Sequence, residues 1–293
     1  MPHCLHSHAI YGLECSPMTQ TSSNLFEAAL CCIKIEDPFE KASAAKTLYK
    51  QWCGDELDAR SLNAPERILN PGRPERPCLV DPRQVPKRGF KSRRGLVKLA
   101  HAIAHIEFNA INLALDAAYR FRGMPHDFYT DWLRVAAEES SHFLMLADYL
   151  ENNDAQYGDY DAHNGLWEMA LKTDHDVMVR MALVPRVLEA RGLDVTPAMI
   201  DKLDKVGEQQ LADILKVIHR EEIGHVLTGT RWFNYVCEQR ALLPRIIFTE
   251  LLDQYMKGAV FGPFDEASRI QAGFTENEMQ HLVLMSKTKE AAK

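Results

Sequence analysis

One pattern constrains this chain more than any other: a glutamate followed by Glu-x-x-His, occurring twice. The first copy is Glu107, Glu139 and His142; the second is Glu189, Glu222 and His225. Glu139 follows Glu107 by 32 residues, and Glu222 follows Glu189 by 33. On a helix, positions i±3, i±4 and i±7 share a face. Around Glu107 that face is Ala100, Ile103, Ala110, Ile111, Ala114, Ala118 and Phe121. Around Glu139 it is Phe128, Trp132, Val135, Ala136, Phe143 and Leu146, broken by His142. Glu222 sits among Leu211, Leu215, Ile218, Val226 and Phe233, with His219 and His225 on the same face. Glu189 has Leu171, Met178, Ala182 and Leu193 around it, with Pro185 and Arg186 intruding. A lone carboxylate on a core face is costly and is expected to be protonated or paired. Four of them call for a cation, and divalent metals answer that need with few partners. A single Glu-x-x-His is weak evidence. Two copies, each behind a core glutamate at nearly equal distance, are strong evidence, because each spacing fits a helical hairpin that brings its two carboxylates level.

The fold class is therefore all-α. Long helices are expected at about 94–122, 126–151, 165–191 and 206–240, with Gly123-Met124-Pro125 breaking the first pair and the polar run Asn152–Asn164 separating the pairs. Gly192 and Thr196-Pro197 are expected to end the third helix. Upstream, Ser23 reads as the N-cap of a first helix, and Asp37-Pro38 opens a second one through Trp52. Shorter helices at 244–257, 264–271 and 275–286 close the chain. The organisation reads as a leader and helical extension (1–56), a Pro-rich connector (57–92), the metal-binding helices (93–241) and a C-terminal extension (242–293). The His3, Cys4, His6, His8 cluster lies in an aperiodic leader and reads as a frayed terminus.

Seven cysteines without a C-x-x-C pair exclude zinc-ribbon and rubredoxin-type sites, and free thiols fit a reducing cytosol. No stretch approaches a membrane span, so a cytoplasmic protein is expected. A net charge of −7 argues against a chain-wide nucleic-acid surface. Arg83, Lys87, Arg88, Lys91, Arg93, Arg94 and Lys98 nevertheless follow one another without an intervening acid. They read as a solvated linker, or as a landing strip in which Arg88, Lys91, Arg93 and Arg94 hold an anionic ligand or RNA.

In the order Glu…Glu-x-x-His…Glu…Glu-x-x-His, the chain from Leu96 to about Arg240 resembles the ferritin-like di-iron carboxylate superfamily. The phrases HAIAHIEFNAI, VPRVLEARGLDVTP and REEIGHVLTGTRWF also resemble one bacterial family of unknown function within it. The resemblance implies a ferritin-like four-helix bundle with a long crossover, flanked by an N-terminal helical hairpin and C-terminal helices. It implies two metal ions, iron ahead of manganese or zinc, held by Glu107, Glu139, His142, Glu189, Glu222 and His225, with Glu139 and Glu222 bridging. Glu138 and Glu221 would each orient a ligand histidine on the facing helix, or else be exposed helix acids. His219, one turn before Glu222, is a third-histidine candidate or a neighbour that only packs there. His101 and His105 face away from Glu107, and His175 lies about 20 Å from Glu189 along a continuous helix. Pro185 should kink the third helix, and Arg186 could pair with Glu189 and weaken it as a ligand.

The function implied is a non-haem oxidoreductase that activates dioxygen or peroxide, with an unidentified substrate and an external electron donor. The alternatives are a ferroxidase or iron-handling protein, a peroxide scavenger, and a bundle whose metal is purely structural. The superfamily includes a tRNA hydroxylase, which keeps tRNA open as a partner for the basic run.

Overall fold

Apolar residues recur every three to four positions through most of the chain, and the computed structural model answers with helices. It describes residues 23–61, 63–256 and 259–290; the His3, Cys4, His6, His8 tract lies outside them. Among the described residues every regular element is helical, apart from two isolated bridges, Asn24–Asp58 and Leu79–Ala162. None of these helices is long and apolar enough to cross a membrane.

Helices α1 (Leu25–Lys34) and α2 (Pro38–Cys53) form the N-terminal hairpin. Asn24, not Ser23, caps α1: its Oδ1 accepts from the N–H groups of Phe26 and Glu27, while the Ser23 carbonyl is taken by the Asp58 N–H at 2.7 Å. Asp37 caps α2, with Pro38 in the first turn. The connector then runs extended over the helices, tied down by backbone and side-chain bonds. Val80 N–H donates to Ala162, the Trp167 indole donates to the Leu69 carbonyl at 3.0 Å, and the buried Lys41 ammonium donates to the carbonyls of Ile33 and Gly72 and to Asn112.

Helices α3 (Arg93–Arg120) and α4 (His126–Glu151) pair across a turn at Gly123, which adopts φ +72°, a conformation a side chain would strain. The hairpin covers their outer side, α1 on α3 and α2 on α4. The expected single third helix is instead three pieces. α5 (Gly165–Lys172) and α6 (Val177–Leu183) are separated because Thr173 and Asp176 bond locally: Asp176 caps α6, and the Thr173 hydroxyl accepts from Arg180 at 2.7 Å. Arg180 also reaches Asp116 on α3 at 2.6 Å, and Arg120 shares that carboxylate at 2.7 Å. A π turn, Val184–Glu189, follows, and α7 (Ala190–Val206) continues through both Gly192 and Pro197. The expected stop is absent because α7 packs lengthwise on α8 (Gln209–Gln239), and that packing outweighs one lost backbone bond at the proline. The chain closes with α9 (Pro244–Tyr255), α10 (Glu266–Gln271) and α11 (Glu276–Glu290). Buried apolar side chains form one cluster from Leu25 on α1 to Leu282 on α11.

His101 and His105 lie on the side of α3 away from Glu107 and anchor the 152–164 loop. Gly158 N–H donates to His101 Nε2 at 2.9 Å, and His105 Nδ1 lies 2.9 Å from the Tyr157 hydroxyl. Burial pushes both imidazoles down to about 4. They are neutral in the fold and titrate normally when unfolded, so between about pH 6.5 and 4 the unfolded chain takes up more protons, and stability falls as the pH falls through that window. His101→Gln keeps an acceptor for Gly158. Its loss of unfolding free energy from pH 7 to pH 4.5, measured by denaturant titration, should be about 2 kcal/mol smaller than that of the native chain. Equal losses would show that His101 is not buried neutral.

Candidate metal centre

Each pair of neighbouring long helices supplies one glutamate and one Glu-x-x-His. α3 brings Glu107 and α4 brings Glu139 and His142; the end of the π turn brings Glu189, and α8 brings Glu222 and His225. Ligand atoms of Glu107, Glu139, His142 and Glu222 all lie within 4.8 Å of one another. His225 joins them with Nδ1 at 2.9 Å from Glu139 Oε1 and 3.5 Å from Glu222 Oε1. Glu189 adjoins Glu222, Glu139 and His225 closely enough to interact electrostatically with all three. Glu107, Glu139, His142, Glu222 and His225 are buried, and Glu189 is half-buried with its Oε2 fully covered. This buried Glu/His group can hold a metal ion.

The two histidines are arranged alike. His142 Nε2 lies 2.9 Å from Glu221 Oε2, and His225 Nε2 lies 2.8 Å from Glu138 Oε2. Each carboxylate comes from the facing helix, α8 for His142 and α4 for His225, and each has an arginine beside it, Arg220 for Glu221 and Arg134 for Glu138. An ionised carboxylate only accepts, so each Nε2 carries the proton. A neutral ring then turns a bare Nδ1 lone pair inward. For His142 that atom is 3.2 Å from oxygens of both Glu107 and Glu139. The His225 Nδ1 and Glu139 Oε1 are in contact yet off the line of a hydrogen bond, and both are left without a partner, as are Glu189 Oε2 and Glu222 Oε2. Lone pairs facing lone pairs need either extra protons or a cation between them.

The charges in the cluster pull apart accordingly. Burial pushes Glu107 well above the carboxylate range, and neighbouring Glu139 adds to it. Glu189 is pushed well up by burial, then by Glu222 and Glu139; Glu222 rises for the same kind of reason. Burial opposes ionisation of Glu139 too, but His225 and His142 outweigh it and hold that carboxyl well below its usual value. Both imidazoles would be depressed by burial, yet their carboxylate neighbours raise them well above the ordinary range. Opposed shifts of this kind within one cluster are what a functional site often shows.

Arg186 does not pair with Glu189. Its Nη2 donates to Glu278 of α11 at 2.7 Å and its Nε to Thr230 at 3.2 Å, and the rings of Phe233, Phe248 and Phe274 surround it. Pro185 lacks the N–H of a regular turn and seats against Gly229 of α8, where any Cβ would overlap the proline ring. His219 is not brought into the cluster: it is half-buried, with Nε2 3.5 Å from Ser268 Oγ on α10. Arg88, Lys91, Arg93 and Arg94 are exposed at the start of α3, with Arg93 3.1 Å from Asp154. Glu278 and Gly229 had no local signature in the sequence, whereas the π turn falls at Pro185, where a kink is expected.

A cavity of about 400 Å³ opens on one side of the cluster. Glu107, Glu189 and Glu222 line it where it meets the cluster, Arg186 lines it too, and the other walls are largely apolar side chains of α3, α7 and α8 with Met256, Ala259, Val260, Phe261 and Phe264. Glu139, His142 and His225 take no part in that wall.

Comparison with known proteins adds a family but no activity. A family model described as "Protein of unknown function (DUF455)" matches residues 34–280. The chain is similar to an "Uncharacterized protein" of Haemophilus influenzae, 41% identical over 281 residues that cover 92% of this chain and 98% of that one. No solved structure matches.

Two outcomes follow from the geometry. Glu138→Gln and Glu221→Gln should each weaken metal binding about 10- to 100-fold with the helical content unchanged, because each loosens one imidazole; competition with a chelator reads this, and unchanged affinity in both would remove their orienting role. Gly229→Ala should cost about 1–3 kcal/mol of stability by pushing Pro185 off α8, as measured by denaturant unfolding.

Proposed function

We propose that this chain, which belongs to the DUF455 family of proteins of unknown function, is a ferritin-like protein with two metal ions and acts as a non-haem oxidoreductase that activates dioxygen or peroxide at iron. One observation carries the reading: both histidines turn Nδ1 toward carboxylate oxygens while a carboxylate from the facing helix holds each Nε2. A carboxylate–histidine pair of this kind fixes the ring and its tautomer for metal ligation. The paired helices α3/α4 and α7/α8, each offering one glutamate and one Glu-x-x-His, support the ferritin-like arrangement.

Glu107, Glu139, His142, Glu189, Glu222 and His225 would hold the two ions. Their four negative charges would balance two divalent cations, which relieves the proton load that burial now imposes on Glu107 and Glu189. Bound iron would supply the redox chemistry and coordination positions open to an oxidant. The chain's own contribution is to orient the imidazoles through Glu138 and Glu221, to exclude bulk water with apolar walls, and to leave one face accessible through the cavity. An external donor would provide electrons.

Anaerobic Fe(II) titration should saturate near two irons per chain, and oxygen should oxidise those irons without freeing the site for more. Glu139→Ala should lose both. Uptake of tens of irons per chain over repeated cycles would establish storage instead, and a site that takes zinc but no Fe(II) would leave a structural metal.

A further inference from the structure

The cavity beside the cluster has features that the metal site alone does not require. Gly192 lies within α7, where glycine weakens a helix. A Cβ there would meet nothing within 4 Å, so no close packing explains the glycine, and Gly192 lines the cavity. The glycine keeps space open. Two large apolar side chains also border the cavity while exposed to solvent, Ile106 at 42% and Phe261 at 50%. An open, apolar rim of this kind suits an apolar molecule entering from outside.

The charges are distributed unevenly along the cavity. Its inner end carries Glu107, Glu189 and Glu222. Toward the other end, Arg269 holds Asp194 with two bonds of 2.8 Å, which matches that carboxylate fully. Arg191 reaches the same Asp194 only at 3.4 Å, and its other bonds go to the neutral carbonyls of Phe261 and Pro263. Beside Gly192, Arg191 is thus matched mainly by neutral carbonyls and the Phe261 ring, with Asp194 a longer ion pair.

We propose that the cavity binds an aliphatic chain of about ten carbons bearing one anionic group, with the anion beside Arg191 and the chain running inward to Glu107, Glu189 and Glu222. The volume of about 400 Å³ accommodates on the order of a dozen heavy atoms at ~30 Å³ each. Arg191, a cation bonded mainly to neutral carbonyls, sets the direction. Calling this ligand the substrate rests on the metal reading above; its binding does not.

The test uses the full chain loaded with Zn(II), which is redox-inert, and titrates decanoate and decanol by calorimetry with metal content measured on the same samples. Decanoate should bind one per chain and at least tenfold more tightly than decanol. Arg191→Gln should remove that preference and leave decanol binding unchanged. Gly192→Trp should abolish binding of both ligands, and the milder Gly192→Leu should weaken it, each with helical content intact. Equal affinity for the two ligands overturns the anionic head group. Absence of binding, or decanoate binding indifferent to both Gly192 variants, overturns the cavity as the site. A chain that binds decanoate as described but holds no metal keeps this assignment and loses the metal reading.

Discussion

An uncompensated ion in a protein interior costs several kcal/mol, and this chain gathers Glu107, Glu139, Glu189 and Glu222 around two imidazoles with almost no solvent. That concentration of charge sets the terms for every element around it. Helices α3, α4 and α8 must pass close enough for the carboxylates to share partners, so their facing surfaces are otherwise apolar. The histidines would be depressed by burial if they stood alone. They are raised because carboxylates face them, and Glu139 is lowered by the same contacts. A buried Glu/His group of this kind could hold a metal ion.

The awkward member is Glu189, and the π turn is what makes it usable. A regular helix through 184–189 would set Arg186 on nearly the same face as Glu189, three residues away, where the guanidinium would compete for the carboxylate. The wider turn at Pro185 separates the two. Arg186 then finds Glu278 and three aromatic rings, which fixes α11 against the core, while Glu189 turns toward Glu222. Gly229 is the other half of the device, since only a residue without a side chain lets the proline ring lie flat on α8. Irregular backbone at this point serves the site rather than marring it.

What could be read from the sequence follows the range of the interactions involved. The all-helical class, the bounds of α4, and the hairpin of α1 and α2 rest on local periodicity and caps, which a single chain displays directly. The pairing of Glu107 with Glu139 and of Glu189 with Glu222 was legible because equal spacing reports hairpin geometry. Whether Arg186 pairs with Glu189 is not legible in the sequence, because its partner, Glu278, lies 92 residues away and no periodicity links them. Pro197 looked like a stop because sequence shows the lost bond but not the α7–α8 contact that outweighs it. His219 shares the helical face of Glu222, yet Ser268 from a distant helix draws it aside.

The resulting centre has two unlike sides. Glu138 and Glu221 close it from α4 and α8, fixing the imidazoles with bonds of 2.8 and 2.9 Å. Glu107, Glu189 and Glu222 face the cavity instead. Imidazoles locked on one side and carboxylates open on the other divide two requirements between different residues. A site must hold its charge in fixed geometry, and it must also let something reach it. The imidazoles suit the first need because each Nε2 is held by a carboxylate from the facing helix. The carboxylates suit the second, since Glu189 and Glu222 each keep an oxygen without a partner. A carboxylate can swing between one oxygen and two as a ligand arrives, whereas a ring clamped through its Nε2 cannot. The carboxylates with unpartnered oxygens therefore lie on the cavity side, and the imidazoles held through Nε2 lie away from it.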